Sequence, residues 1–137
     1  MIQTPDNARR ALATIEASWN AAAAHWDADL LTNVYTSDAL FFGGRPGHSV
    51  GAGAIHDYFA SYEGLIESAT LKLVDQAFVW LAEDCLLAQG YGEFSFVLSG
   101  GTLSHSRLRT TLTLSLQGGE WRIRQHHFST TPEAPPI

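Results

Sequence analysis

The chain has 137 residues, the length of one compact domain with a single core, so a two-domain machine is not the expectation. Apolar residues make up 45% and charged residues 16%, spread along the whole length, which excludes a disordered chain. The net charge is −6, and the seven arginines and single lysine (Lys72) form no dense cluster of the kind that neutralises phosphates, which argues against nucleic acid as a partner.

Ala8, Leu12, Ile15, Trp19, Ala22 and Trp26 recur at alternating spacings of four and three, the stripe of an amphipathic helix. Thr4 is a suitable N-cap, with Pro5 in the first turn where its missing N–H costs nothing. Asp27 is a second cap, and Leu30, Leu31, Val34 and Tyr35 give a shorter apolar face that Thr36, Ser37 and Asp38 end. Residues 39–42 read as a brief strand, followed by a turn at Gly43, Gly44, Pro46 and Gly47. Ile55, Tyr58, Phe59 and Tyr62 predict a third helix ending near Gly64. From Glu67 onward, four strands are separated by turns at 81–84, 99–101 and 117–119, and such short connections pair neighbours antiparallel. In the third of these strands Leu108, Leu112, Leu114 and Leu116 share one parity, while Arg107, Arg109 and Thr111 share the other. The tail, 131–137, carries Pro132, Pro135 and Pro136 and cannot enter a sheet interior. Helices first and a curled antiparallel sheet afterwards predict an α+β domain over 1–137. A strongly curved sheet covered by helices tends to enclose a space, and such spaces bind small molecules.

The single Cys85 excludes disulfide scaffolds, zinc ribbons and dithiol chemistry. No run of about 18 apolar residues exists to span a membrane. Residues 1–10 lack a basic region followed by an apolar one, so a cytoplasmic location is expected. There is no P-loop, no GxSxG and no metal-ligand cluster, and the expectation is a protein without cofactor or metal.

Three stretches together resemble a known superfamily: 16–35 (EASWNAAAAHWDADLLTNVY), 42–59 (FGGRPGHSVGAGAIHDYF) and 109–132 (RTTLTLSLQGGEWRIRQHHFSTTP). Their order and spacing are similar to those of the nuclear transport factor 2-like proteins, within them the SnoaL-like proteins and the association domain of calcium/calmodulin-dependent protein kinase II. The resemblance implies a cone of N-terminal helices packed on a strongly bent, mainly antiparallel sheet that encloses a pocket. It also implies a homodimer formed through the outer sheet face. It does not choose the chemistry, because the superfamily includes isomerases, dehydratases, cyclases, transport adaptors and assembly hubs.

His126 and His127 are adjacent, so on a strand they face opposite ways and cannot share a metal. Trp121, Ile123, Gln125, His127 and Ser129 share a parity, and the family pattern matches its inward histidine to His127 and its serine to Ser129. The expectation is therefore His127 in the pocket, as acid/base if the protein is an enzyme, and His126 outside. Arg109 matches the family's arginine before the last hairpin and would either hold a carboxylate of a ligand or of Glu93 or form an ordinary ion pair at the dimer surface. Its strand parity places it on the polar side instead, and a β-bulge would reconcile the two readings. Trp19, Tyr35, Phe42, Tyr58, Tyr62 and Tyr91 either line the cone or fill the core. The leading functional expectation is a homodimer binding a small organic, anionic or carbonyl-bearing ligand between aromatic walls and an Arg109/His127 polar end. The alternatives are a cofactor-free isomerase, dehydratase or cyclase using His127, and an oligomerisation hub.

Overall fold

The computed structural model describes residues 3–137. Helix α1 (Pro5–Ala23) starts at Thr4, whose side chain accepts a hydrogen bond from the Asn7 N–H at 3.1 Å, and buries the expected stripe from Ala8 to Ala22. Asp27 caps a one-turn helix, α2 (Ala28–Thr32), through the Leu30 N–H. This second helix is shorter than its apolar face predicts. The Val34 carbonyl accepts from the Ile123 N–H at 2.9 Å, and that contact draws the following residues into the sheet. Strand β1 (Tyr35–Phe42) therefore begins at Tyr35, and the short β2 (Ser49–Val50) and helix α3 (Ala52–Ala60) follow.

The long strands β3 (Ile66–Ala82), β4 (Cys85–Leu98), β5 (Leu103–Gln117) and β6 (Glu120–Ser129) complete one six-stranded sheet in the order β2-β1-β6-β5-β4-β3. The four form an antiparallel meander, and β1 joins β6 in parallel. The architecture is the expected α+β cone. No helix among the described residues is long and apolar enough to cross a membrane.

Since β3 lies at one end of the sheet, its outer backbone groups have no strand beside them. Helix α1 supplies partners at Leu71 and Leu73. Asn20 donates through Nδ2 to the Leu71 carbonyl at 2.9 Å and accepts the Leu71 N–H through Oδ1 at 2.6 Å. Glu16 accepts the Leu73 N–H at 2.8 Å, one turn earlier on the same helix. The helix is thereby fixed across the concave face, with Leu12, Ile15 and Trp19 packed inward.

Two of the sheet's register shifts bear on the site. In β3 the register with β4 shifts between Val74 and Ala77, where Asp75 takes a positive φ of 52°. Opposite that bulge the backbone of Gly90 is so close that a Cβ there would lie 2.5 Å from the Asp75 carbonyl oxygen. In β6 the register with β5 shifts at Arg124, between the pairs Leu114–Ile123 and Thr113–Gln125. One extra residue there exchanges the inward and outward faces for the rest of the strand.

Because the obstacle at Gly90 is backbone and cannot swing away, Gly90→Ala is expected to lower stability by roughly 3 kcal/mol, the cost of forced overpacking. Urea unfolding of the two proteins checks it; a midpoint unchanged at equal slope would show that the bend does not need the glycine.

Candidate functional site

The concave face of the sheet, α1, α3 and the 61–66 turn enclose a cavity of about 580 Å³. Trp19 and Trp26 come from α1 and its end, Tyr58 and Tyr62 from α3 and its end, and Phe94, Leu108 and Phe128 from the inward faces of β4, β5 and β6. The rings meet mostly edge to face: Trp19 on Trp26 at 6.3 Å, Trp19 on Phe94 at 5.8 Å, and Trp26 on Tyr62 at 6.0 Å. Such contacts hold the wall in one arrangement, beyond what area burial contributes. The Trp26 Nε1–H donates to the Phe59 carbonyl at 3.0 Å, which orients that indole. Exposed Gly44, Leu65 and Ser99 mark the mouth.

Among the described residues, no charged side chain and no histidine lines this cavity; its polar groups are the hydroxyls of Tyr58, Tyr62, Ser99 and Ser106. The Tyr58 hydroxyl accepts the Gly44 N–H at 2.9 Å, and burial pushes its pKa above the ordinary phenol value, so it stays neutral. Arg45 stands outside, with its guanidinium 4.2 Å from the centre of the Tyr62 ring and bonded to Ser61.

Beyond the aromatic wall sits a buried polar pair. The Tyr35 hydroxyl and His126 Nδ1 share a hydrogen bond of 2.8 Å, and the two rings stack with centroids 6.0 Å apart. His126 is 1% exposed, and burial, aided by the neighbouring His127, pushes its pKa down to about 3. Burial raises the Tyr35 phenol, an effect that a hydrogen bond from the Trp19 indole N–H partly opposes. His126 Nε2 and Thr110 Oγ1 are buried without a hydrogen-bond partner.

The expected site residues divide between the two faces of the sheet. Trp19, Tyr58 and Tyr62 line the cavity, and Tyr35 lies buried behind it. His127 does not: it is exposed on the outer face, and His126 is the inward histidine. The cause is the bulge at Arg124, since Ile123 faces in and the parity then changes, so that His126 and Phe128 face in after it. Arg109 also faces out. The β4 to β5 register runs unbroken from Cys85–Ser115 to Val97–Leu103, so Leu108, Thr110, Leu112 and Leu114 all point inward and no bulge turns Arg109. Tyr91, Arg109, His127 and Ser129 are brought together, with Gln89 and Thr111, around a polar depression on the outer face. Glu93 pairs with Arg107 at 3.5 Å and not with Arg109, while Phe42, 44% exposed, stacks on His48. Sequence reasoning did not assign Phe94, Phe96, Leu108 and Phe128 to the wall. The alternation of Gly92, Phe94 and Phe96 was the signal available for the first two. The described residues hold no group of side chains suited to a metal ion.

A helix-covered, curled six-stranded sheet of this order, with its cavity under the first helix, defines the nuclear transport factor 2-like cone fold. The family model of the SnoaL-like domain matches residues 12–133, and the chain belongs to that family. Among solved structures it is similar to a Xanthomonas campestris protein described as a calcium/calmodulin dependent protein kinase II association domain, with TM-score 0.80 and 21% identity over 96% of this chain and 91% of that one. It is similar to a protein of Novosphingobium aromaticivorans described as a scytalone dehydratase, with TM-score 0.78 and 10% identity over 90% of this chain and 84% of that one. A nuclear transport factor 2-like superfamily protein of Salmonella enterica gives TM-score 0.75 and 18% identity over 97% of both chains. At these identities the likeness carries the fold alone. No curated protein matches the chain by sequence.

The neutral, buried His126 makes stability depend on pH. Its folded-state value of about 3 lies below the ordinary 6.5, so the unfolded chain takes up the proton first. The contribution is fully present above pH 6.5 and is lost as pH falls toward 3. Between neutrality and pH about 4.5 this residue alone should remove roughly 2–3 kcal/mol. Urea unfolding at both pH values checks it: His126→Phe should flatten that part of the loss, and an identical loss in the variant would assign it to other groups.

Proposed function

We propose that the protein is a homodimeric binding domain for a small, uncharged, ring-bearing molecule held in the aromatic cavity. The observation that carries this reading is the composition of the wall, with two indoles, several phenyl and phenol rings and no charge. A cavity of about 580 Å³ falls in the range of small-molecule sites, and burying an apolar ring there supplies the affinity that its few hydroxyls cannot. The anionic ligand expected from Arg109 and His127 loses its support, because both lie on the opposite face of the sheet. Dimerisation is proposed through that outer face, where Val79 and Leu81 are each 57% exposed.

The enzyme reading is weaker. It rests on neighbours described as dehydratases, and the histidine expected to serve it, His127, is outside the cavity. The inward histidine is sealed behind the wall, where in this conformation no substrate atom reaches Nε2. A hub of many subunits is the third reading, and the mass in solution separates it from a dimer.

N-phenyl-1-naphthylamine, a neutral probe that brightens in apolar surroundings, should bind with micromolar affinity. Leu108→Trp, which fills the cavity with an indole, should weaken binding at least tenfold while leaving the unfolding midpoint nearly unchanged. Absence of binding, or equal binding by the variant, would remove the proposed site. Light scattering should give a dimer, and Val79→Glu should shift it toward monomer by burying an unpaired charge at the contact; a monomeric parent protein would remove the dimer.

A further inference from the structure

The polar depression on the outer face, about 460 Å³, lies over β4, β5 and β6, and strand pairing fixes what it contains. Tyr91, Arg109 and Ser129 stand opposite one another in one row across the three strands, and Gln89, Thr111 and His127 form the next row. Directly opposed residues have Cβ atoms about 5 Å apart, and successive rows on one face are about 7 Å apart, so the six side chains cover an area the size of a small molecule.

Arg109 is set apart from the chain's other arginines. Among the described residues, Arg9 bonds to Asp6, Arg10 to Asn7, Arg45 to Ser61, Arg107 to Asp75 and Glu93, Arg122 to Glu120, and Arg124 to Asp38. Arg109 makes no hydrogen bond and no ion pair with any described residue. No carboxylate lines its depression, and the acid one row further on, Glu93, is held by Arg107, whose guanidinium lies 4.6 Å from the centre of the Tyr91 ring. The groups around Arg109 are suited to donate. Gln89 Nε2 donates to Thr111 Oγ1 at 3.0 Å, so that hydroxyl accepts there and its own proton is left for a ligand. The hydroxyls of Tyr91 and Ser129 and a His127 N–H stand beside the guanidinium fork.

We infer that this depression is a second binding site, for the carboxylate of a small organic acid, seated on Arg109 with Thr111 and Ser129 donating beside it. It lies across the sheet from the aromatic cavity and does not rest on the function proposed for that cavity. The charge selects the class of anion: one permanent cation balances one negative charge, whereas a phosphate dianion would leave a surplus on a chain whose net charge is already −6. The planar guanidinium matches the two oxygens of a carboxylate, and the flanking hydroxyls occupy its remaining lone pairs. Every group needed comes from one chain, so the site is complete without a second copy.

Titration of the isotope-labelled protein with sodium acetate, followed by NMR at the amides of Arg109, Thr111, His127 and Ser129, tests this. The expected result is a saturable change at those amides in the millimolar range, which sodium chloride at equal ionic strength does not reproduce. Arg109→Gln should weaken acetate binding roughly tenfold, and Arg109→Lys, which keeps the charge but loses the planar fork, roughly threefold. Thr111→Val, which keeps the shape and removes the hydroxyl, should weaken it about twofold. Val79→Glu, which opposes the proposed dimer contact, should bind acetate as the parent protein does. Equal changes with chloride, acetate binding that survives Arg109→Gln, or phosphate bound more tightly than acetate would each overturn the inference. Binding by the Val79→Glu variant alone would overturn it too, by giving Arg109 to a carboxylate of a second copy. The dye that reports on the aromatic cavity is read separately, so failure here leaves the proposed function standing.

Discussion

The structure depends on one substitution of partners: a helix takes the place of a strand at the end of the sheet. The side-chain amide of Asn20 makes the two hydrogen bonds to Leu71 that a neighbouring strand would make, and Glu16 adds a third at Leu73. At Leu71 and Leu73 the edge is closed to another strand, and it is tied there to the helix that lies across the concave face. With β3 curled over α1, and with the bend held open by close approach of Gly90 to Asp75, the inward faces of β4, β5 and β6 cannot collapse onto one another. The space that remains is the cavity.

What fills the boundary of that space decides its chemistry. Its wall is aromatic and uncharged, so it selects by shape and apolar area, while burial keeps Tyr58 and His126 neutral. The Tyr35–His126 pair is the extreme case. Both members are inside the core, both are held in their uncharged forms, and each satisfies one hydrogen-bonding group of the other. The polar residues that looked suited to a charged ligand are gathered on the outside instead, around Arg109 and His127. Thus the sheet separates an apolar inner surface from a polar outer one, and the two present quite different partners with quite different attractions.

The sequence by itself determined the order of the three helices and the long strands, the apolar stripe of α1, the turns of the meander and the aromatic supply for the interior, because each follows from local periodicity and turn chemistry; the two-residue β2 and the start of β1 at Tyr35 were not legible. Trp19, Tyr58 and Tyr62 were among the aromatics expected either to line the cone or to fill the core, and the structure sets these three in the cavity wall. Which of two adjacent histidines faces inward was not. In a regular strand parity settles that question, but one extra residue at Arg124 inverts it for His126, His127 and Phe128, and the bulge has no local signature in the chain. The same limit placed Arg109 in the pocket by resemblance, although an unbroken β4 to β5 register turns it out. Alternation along a strand is a property of its own residues; the register that decides which face is the inside belongs to the pairing of strands far apart in the chain, and only the tertiary structure sets it.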